Sequence, residues 1–401
     1  MISPDNALAI VLDNVSLLPG KPVRLTESLN CLLMEDVVAP WDCPSFDRAM
    51  MDGFAVKMTD QAKGFKRIGR LQAGEVWAGP FPEGSCIEIM TGAPCPEGTD
   101  MVVPYEESRQ EGERVFFPEP RIRGEFIALR GSECRKGQVL LKKGERITPL
   151  VISVLASFGQ TEAIVHPVPR ISVIVTGREI LSTGQPGRSG LINDANGPML
   201  EAMARELGVH EIRVAYADDT LEDLTSVISC HLESDIVLLT GGVSEGLFDL
   251  VPQTLESLGV EILFHKVSQK PGKPLLFGKK KNQLFFGLPG NPLSVYLGFH
   301  RYVAPALRIM QGKAPQPKVE QGRGRIEADG GDRTRFLLAR AEKEQDSWAL
   351  SVFNHHRSSD IFSVCSANCM IRVQPADNIP DNRCENIQWA FQWLGKKGWE
   401  E

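Results

Sequence analysis

Several features that would assign a chain to a familiar class are missing from this sequence. No apolar run reaches the length of a membrane-spanning helix, and residues 1–5 show neither the basic region nor the apolar core of a secretory signal. The Gly-x-x-x-x-Gly-Lys-Ser/Thr phosphate loop, the Gly-x-Gly-x-x-Gly turn and the His-Glu-x-x-His helix are also absent. We therefore expect no membrane partner, and the NTPase, dehydrogenase and zincin classes lose their main support.

The length and charge of the chain limit its domain number and the kinds of ligand that it can bind. The 401 residues exceed the roughly 250–300 at which a single hydrophobic core stops growing, so several domains are expected. The net charge of −7 argues against a nucleic-acid partner, so an anionic ligand must be held by local basic groups. Nine cysteines, an odd number at irregular spacing, favour a reduced cytoplasmic location over a disulfide framework.

One stretch, residues 235–249, combines a buried strand with a loop suited to an anion. The apolar run 236–239 ends in a Thr-Gly-Gly turn, which is typical of a parallel strand feeding a ligand loop at its carboxyl end. Paired glycines let main-chain N–H groups approach an anion, Ser244 adds a hydroxyl, and Asp249 adds a carboxylate for hydrated magnesium. For this loop alone, an ordinary strand-to-helix turn without a ligand is the better interpretation.

Two more loops of the same kind follow, Gln-Lys-Pro-Gly-Lys-Pro at 269–274 and Leu-Pro-Gly-Asn-Pro at 288–292. Carboxylates also follow neighbouring strands, at Glu179 and Asp218. Lysines near the second loop suit a ligand with several negative charges. Because a doubly wound sheet gathers ligand groups at its strand ends, these loops together predict one phosphate-handling crevice.

The order of elements predicts a multidomain α/β plus β protein. Residues 65–117 read as a small β domain inserted into an N-terminal segment that resumes with a strand at 139–141 and a helix at 151–158. Short alternating runs beyond 311 predict a small β-barrel or sandwich. Between them, strands are predicted at 171–175, 212–217, 236–239, 260–267, 275–277 and 284–286, and helices at 196–207, 220–232 with a capping box, 251–258 and from Pro292 after an Asn291 cap.

Two further motifs are weak by themselves. The Asp-Gly pair at 52–53 offers a poised carboxylate, although a hairpin turn is favoured on local grounds. The Thr-Gly pair at 91–92 offers a hydroxyl and a bare N–H to an oxyanion. The His-His pair at 355–356 and the cysteines at 365 and 369 lack a second ligand pair at zinc-finger spacing, so we predict no zinc site.

Six motifs follow one another along the chain: MDGFAV (51–56), EIMTGAP (88–94), TGREI (176–180), TGGVSEGLFD (240–249), KPGKPLLFG (270–278) and GLPGNPLS (287–294). Together and in this order they resemble the MoeA family of molybdopterin molybdenumtransferases, to which the E domain of gephyrin is related. The resemblance covers almost the whole chain.

This resemblance implies a MoeA-like four-domain architecture. It comprises an elongated N-terminal domain (1–43 and 129–169), an inserted β domain (44–128), a doubly wound molybdopterin-binding α/β domain (170–310) and a C-terminal β-barrel (311–401). The implied reaction inserts molybdate into adenylylated molybdopterin with release of AMP, supported by Mg²⁺. A homodimer is implied, with each active site drawn from both subunits. Molybdopterin adenylyltransferase and other cofactor-biosynthesis proteins are the implied further partners.

The resemblance also implies site residues. Lysines would hold molybdate or phosphate, carboxylates would surround magnesium and the pyrophosphate, and the glycine loops would cradle the pterin nucleotide. The implied catalytic residues are Asp52, Thr91, Glu179, Asp218, Asp249, Lys266 and Lys270, with Asp52, Glu179 and Asp249 at the metal. The implied cofactor-binding residues are Thr176, Gly177, Gly241, Gly242, Ser244, Pro271, Gly272, Lys273, Pro289, Gly290 and Asn291.

Four positions depart from the family pattern: Arg48, Glu88, Ala128 and Arg178. Glu88 and Ala128 stand where the family commonly has arginine, so the change at 88 reverses a charge. We expect retained activity because the acids, lysines and glycine loops remain. The alternatives are a paralogue that binds molybdopterin or acts as a scaffold without inserting metal, and a nucleotide-pyrophosphate hydrolase on the same fold.

Overall fold

A computed structural model of the chain describes residues 1–58, 64–117, 122–186, 189–244, 249–325, 331–353, 358–375 and 387–398. The chain divides into two compact units. Unit 1 comprises Met1–Met34, Arg146–Thr148 and Glu162–Glu401, and unit 2 comprises Glu35–Glu145 and Pro149–Thr161. Of the helices in these described ranges, none combines the length and the apolar character needed to cross a bilayer.

The α-helices of the described residues are α1 Pro4–Asn14, α2 Pro149–Ser157, α3 Asn196–Glu206, α4 Leu221–Ser229, α5 Val251–Ser257, α6 Pro292–Gly298 and α7 Ala304–Met310. A π-helical segment, Phe299–Val303, joins α6 to α7, so the helix predicted from Pro292 is long as expected. At α4 the hydroxyl of Thr220 accepts from the N–H of Asp223 at 3.3 Å, as predicted. The capping box is not reciprocal, because the Asp223 carboxylate accepts from the N–H of Asp218 at 2.7 Å.

Unit 2 is built on a six-stranded sheet, which confirms the predicted small β domain. The sheet order is β7-β4-β6-β5-β9-β8, and β3 pairs with β10 and β2 with β11. The pairing of β2 with β11 ties the predicted strand at 139–141 to the N-terminal segment. In chain order the strands are β1 Lys21–Arg24, β2 Val37–Val38, β3 Arg48–Ala49, β4 Gly53–Val56, β5 Phe65–Leu71, β6 Ser85–Ile89, β7 Met101–Pro104, β8 Arg109–Glu111, β9 Arg114–Phe116, β10 Ile127–Ala128, β11 Val139–Leu141 and β12 Glu162–Val165; β1 and β12 pair in unit 1.

The hairpin favoured at Asp52 and Gly53 is wrong. β3 before this turn pairs with β10, whereas β4 after it pairs with β6 and β7. Gly53 serves a different purpose, since a Cβ atom there would overlap the carbonyl oxygen of Val103 on β7. The glycine therefore permits close approach of two strands rather than a tight turn.

Unit 1 contains the predicted α/β sheet. Its order is β16-β13-β17-β21-β20-β18, with β13, β16, β17 and β21 mutually parallel and β20 antiparallel to both neighbours. All residues of β17 are buried, and alternate residues enter separate cores on the two faces of the sheet. The strands here are β13 Ile171–Thr176, β14 Ile180–Leu181, β15 Ile192–Asn193, β16 Ile212–Ala217, β17 Ile236–Thr240, β18 Glu261–His265, β19 Gln269–Lys270, β20 Leu276–Lys280 and β21 Gln283–Leu288.

The C-terminal strands form the predicted barrel. Pairing runs β23-β24-β22-β26-β25 and returns to β23, which closes the sheet. β19 extends this sheet beside β23. The lysine-rich loop of the α/β domain (residues 269–274), which begins at β19, is therefore attached to the barrel. The strands are β22 Val319–Gly324, β23 Thr334–Glu344, β24 Ser347–Val352, β25 Cys369–Val373 and β26 Ile387–Trp393.

The histidine pair at 355–356 lies outside the described residues. Cys365 and Cys369 are free thiols, and Sγ of Cys369 donates to the carbonyl of Ala339 at 3.3 Å. Within the described ranges, no three His, Cys, Asp or Glu side chains form a group that could hold a metal ion.

Candidate functional site

The carboxyl ends of β13 and β17 are joined through Thr176. This residue is buried, and its Oγ1 donates to the carbonyl of Thr240 at 3.1 Å. A Cβ atom on Gly241 would lie 2.8 Å from Oγ1 of Thr176 and 2.9 Å from its carbonyl oxygen. Gly241 also has a φ of +90°, which side-chain-bearing residues rarely adopt. Strand packing and backbone conformation therefore both require glycine at 241.

The next residues leave the sheet edge. The N–H of Gly241 donates to the carbonyl of Leu288 at 3.1 Å, so this donor is engaged within the sheet and does not face an anion. Gly242 has a φ of +62°, and a Cβ atom there would lie 3.1 Å from Cγ2 of Val251. Ser244 is exposed beyond it. The two glycines thus have packing roles that their spacing in the sequence does not reveal.

Carboxylates gather after β13 and β16. Gly177 turns the chain with a φ of +134°, and a Cβ atom there would lie 2.8 Å from Oε2 of Glu179. Asp219 accepts from the N–H of Arg178 at 3.4 Å. Burial raises the pKa of Asp219, and the charges of Glu179 and Asp218 raise it further against the lowering effect of that N–H.

Three residues that sequence reasoning missed connect α3 to this edge. Oδ1 of Asp194 accepts from the N–H groups of Asn196 and Gly197 at 2.9 Å each, and the hydroxyl of Tyr216 donates to Oδ2 at 3.1 Å. Nδ2 of Asn196 donates to the carbonyl of Gly290 at 2.8 Å. The Asp-Ala-Asn sequence ahead of α3 is a capping signal that could have located Asp194. Nothing in that signal indicates the contact with Gly290.

The third predicted loop lies against the first. Pro289 is buried, Gly290 and Asn291 are exposed, and a Cβ atom on Gly290 would lie 3.8 Å from Cα of Gly241. Asn291 is the N-cap residue of α6, as predicted, but its side chain makes no capping bond. Its Nδ2 donates instead to Oγ of Ser358 at 2.8 Å, which ties the loop to the C-terminal domain.

The lysine-rich loop presents charge on both sides of a buried turn. Lys270 and Lys273 are exposed, whereas Pro271 and Gly272 between them are buried. Gly272 has a φ of +86°. Lys266 precedes this loop, is half-buried and has a φ of +78°. The turn therefore separates two exposed cations by a fixed stretch of backbone.

Asp249 is half-buried immediately before Leu250, the N-cap residue of α5. The N-terminus of α5 is tied back to the first loop, because the N–H of Val251 donates to the carbonyl of Gly242 at 3.2 Å. Asp249 consequently belongs to the same region of unit 1 as the glycine turn.

In unit 2 the structure brings Asp52 and Thr91 together. Oδ1 of Asp52 accepts from both the N–H of Thr91 at 2.6 Å and its hydroxyl at 2.7 Å. These donors, the main-chain N–H first, lower the pKa of Asp52. Both residues are exposed. The pair therefore presents an ionised carboxylate whose orientation is set by two hydrogen bonds.

Two of the departures are cross-strand neighbours in unit 2. Arg48 on β3 is paired in register with Ala128 on β10, so the longer side chain stands opposite the shorter one. Nη2 of Arg48 lies 2.8 Å from Oε1 of Glu133. Sγ of Cys43 lies 3.4 Å from the other carboxylate oxygen of Glu133. The acidic group at 133 is thus fixed by an arginine that the family pattern does not predict.

The third departure, Glu88, is also partnered. The hydroxyl of Tyr105 donates to Oε1 of Glu88 at 2.9 Å. Nη1 of Arg67 lies 3.4 Å and Nε of Arg70 3.5 Å from its carboxylate oxygens. The reversed charge is therefore placed between two cations of β5.

The predicted site residues fall into two groups. Asp52 and Thr91 are in contact in unit 2, while the others lie on the loops of unit 1. Carboxylate oxygens such as those of unit 1 are of the hard type that suits Mg²⁺, but no three of the described side chains are grouped closely enough to hold a metal ion in this structure. In unit 1 the following predicted residues lie at or beside the carboxyl edge of the sheet: Thr176, Gly177, Glu179, Asp218, Gly241, Gly242, Ser244, Asp249, Pro289, Gly290 and Asn291.

Comparison with known proteins gives concordant matches. The MoeA N-terminal region (domains I and II) matches residues 2–159, and a probable molybdopterin-binding domain matches residues 172–309. A molybdopterin molybdenumtransferase of Staphylococcus aureus strain Mu50 is 34% identical over 377 residues, covering 92% of this chain and 90% of that relative. A protein of the same name from Staphylococcus epidermidis is 35% identical over 362 residues, covering 88% and 86%. The crystal structure of a molybdopterin biosynthesis MoeA protein from Pyrococcus horikoshii covers 100% of both chains with a TM-score of 0.75 and 27% identity.

Proposed function

This chain belongs to the MoeA family of molybdopterin molybdenumtransferases, enzymes of molybdenum cofactor biosynthesis, and we propose that it inserts molybdate into adenylylated molybdopterin with release of AMP. The observation that carries the proposal is the grouping of carboxylates and glycine turns at one edge of the central sheet. Ligands of open α/β sheets bind at the carboxyl ends of the strands. The loops after β13, β16, β17 and β21 occupy that edge.

Two unsatisfied polar atoms support a polar ligand at this edge. Oδ1 of Asn196 and Oγ1 of Thr240 are buried and lack a hydrogen-bond partner in the part of the chain that the structure describes. A buried polar atom without a partner costs about 1–3 kcal/mol. A pterin carries ring N–H and carbonyl groups, so it offers the donors and acceptors that these two atoms need.

Charge balance is the chemical task of the proposed site. Molybdate and the pyrophosphate of the adenylylated substrate are both anions, so bringing them together requires positive charge. Lys266 and Lys270 would hold molybdate or phosphate, and Lys273 would add positive charge beside the pterin nucleotide. The side chains of Lys270 and Lys273 are exposed, and that of Lys266 is half-buried. The glycine turns let the main chain approach the pterin nucleotide closely.

Magnesium is part of the proposal. Glu179 and Asp249 of one subunit and the partner subunit's Asp52 would hold it, and Asp218 would add negative charge on the loop after β16. Bound Mg²⁺ would neutralise phosphate oxygens and stabilise the charge that develops on the leaving phosphate. The carboxylate of Asp52 is ionised and its orientation is set before a metal binds, because the N–H and the hydroxyl of Thr91 both donate to its Oδ1.

We place the enzyme in the cytoplasm as a homodimer, in which unit 2 of one chain supplies Asp52 and Thr91 to the partner. The described cysteines are free thiols, which suits a reducing compartment. Molybdopterin adenylyltransferase, which makes the adenylylated substrate, is the proposed partner upstream.

The test is incubation of the purified protein with adenylylated molybdopterin, Mg²⁺ and molybdate. AMP and active cofactor, measured together, are the expected products. Release of AMP without active cofactor would identify a nucleotide-pyrophosphate hydrolase. Tight binding of the substrate with no turnover would identify a binding or scaffold protein.

A further inference from the structure

The lysine-rich loop has an unusual demand for hydrogen-bond donors. Pro271 and Gly272 are buried, and a buried carbonyl oxygen needs a donor. Pro271 and Pro274 have no N–H group to contribute to the turn. A side chain must therefore supply donors from inside the fold if the turn is to keep one shape.

Gln269 supplies them. Its side chain is almost fully buried, at 2% exposure. Nε2 donates to the carbonyl of Pro271 and to that of Gly272, at 3.2 Å each. Because carbonyl oxygens only accept, these contacts fix which end of the amide faces the turn. The other end, Oε1, accepts from the hydroxyl of Tyr302 at 2.6 Å.

The partners of Gln269 are held rigidly. Tyr302 is fully buried within the π-helical segment between α6 and α7, and burial raises its pKa, so it remains a donor. The backbone of Gln269 is paired with Thr334 on β23. A Cβ atom on Gly272 would lie 3.0 Å from Nε2 of Gln269, so the turn is packed directly on the amide. The side-chain amide thus joins the loop to the π-helical segment, and the backbone of Gln269 joins it to β23.

We propose that Gln269 is a positioning residue for the oxyanion substrate: its amide sets the shape of the turn and thereby the spacing of the ammonium groups of Lys270 and Lys273. This inference rests on the proposed function, in which Lys270 holds molybdate or phosphate and Lys273 contacts the pterin nucleotide. Gln269 itself does not contact the anion, because it lies beneath the turn.

The test replaces Gln269 with methionine, which keeps the length and removes both donors. Gln283→Met is a matched control, because Nε2 of Gln283 also donates to two carbonyls, those of His231 and Ser234. Gln283 lies at the start of β21, away from the carboxyl end of that strand. Amide hydrogen exchange is measured for the peptide 268–275, and molybdate binding is measured by calorimetry. KM is determined separately for molybdate and for adenylylated molybdopterin.

The expected result for Gln269→Met is exchange at least tenfold faster in the 268–275 peptide and molybdate affinity at least tenfold weaker. KM for molybdate and KM for adenylylated molybdopterin should both rise, because Lys270 holds the anion and Pro271, Gly272 and Lys273 on the same turn contact the pterin nucleotide. Gln283→Met should leave all of these values unchanged, although its unfolding midpoint falls. A purely structural role would instead lower the unfolding midpoint of both variants without a rise in either KM.

Other outcomes separate the two claims. Unchanged exchange in Gln269→Met would overturn the positioning role. Faster exchange with wild-type molybdate affinity would overturn the link between the turn and the anion. If the wild-type protein neither binds nor turns over molybdate, the proposed function fails, and inorganic phosphate binding by the same two variants then decides whether Gln269 positions an oxyanion.

Discussion

The contact between Gly241 and Thr176 makes a quantitative prediction for Gly241→Ala. The new Cβ atom would lie 2.8 Å from Oγ1 and 2.9 Å from the carbonyl oxygen of Thr176. It would also hold an alanine at a φ of +90°. Gly184 has the same φ of +90° and no atom within 4 Å of its Cβ position among the described residues, so Gly184→Ala isolates the backbone cost.

The expected losses in the free energy of unfolding follow from two costs, the backbone conformation and the contact with Thr176. A side-chain-bearing residue in the left-handed region costs roughly 1–2 kcal/mol, which both variants should lose. Overpacking against neighbouring strand atoms costs a further 1–3 kcal/mol or so, which only Gly241→Ala should lose. The free energy of unfolding should therefore differ between the variants by about 1–3 kcal/mol.

Urea unfolding followed by circular dichroism measures this difference, with the slope compared to confirm that the same transition is observed. Adding Thr176→Ala to Gly241→Ala should recover part of the loss, because it removes Oγ1 but not the carbonyl oxygen. The reasoning is refuted if Gly241→Ala and Gly184→Ala agree within about 0.5 kcal/mol, the range of ordinary surface substitutions.

Three further predictions concern the carboxylates. Thr91→Val removes one of the two donors that lower the pKa of Asp52, so this pKa should rise and Asp52 should become protonated at a higher pH than in the wild-type protein. An NMR titration of Asp52 that superimposes on the wild-type curve would contradict this. The pKa of Asp219 is raised in the folded state, so the folded protein loses stability as pH rises through that pKa and the carboxylate ionises. Asp219→Asn should therefore raise the urea midpoint at neutral pH and leave it unchanged in acid. Equal midpoints of the variant and the wild-type protein at neutral pH would contradict this prediction. Asp249→Asn should abolish molybdate-dependent AMP release while light scattering gives the same mass as for the wild-type protein, and unchanged turnover would remove Asp249 from the mechanism.

The sheet was predictable from sequence because buried parallel strands have a strong local signature. The apolar run 236–239 corresponds to Ile236–Thr240, and the predicted strand 212–217 coincides with Ile212–Ala217. Pairing partners have no such signature. The Asp-Gly turn at 52–53 looked like a hairpin, but the strand after it pairs with two strands much further along the chain.

The predicted site shows the same division between local and long-range information. Spacing placed the glycine turns at strand ends, yet it could not show that the N–H of Gly241 is used by Leu288. Asn196 was missed because its contact with Gly290 joins residues 94 positions apart. Such contacts depend on how the strands are ordered in the sheet, and no local pattern contains that order.

The departure at Glu88 is best understood from its neighbours rather than from the family position alone. Arg67 and Arg70 lie within 3.5 Å of its carboxylate oxygens, and Arg70 is its partner in register on β5. Arg67, Arg70 and Glu88 together carry one net positive charge. Both guanidinium groups are exposed while Glu88 is largely covered, so an approaching anion meets the cations first. The surface around Glu88 therefore still presents positive charge to an anion, although residue 88 itself is acidic.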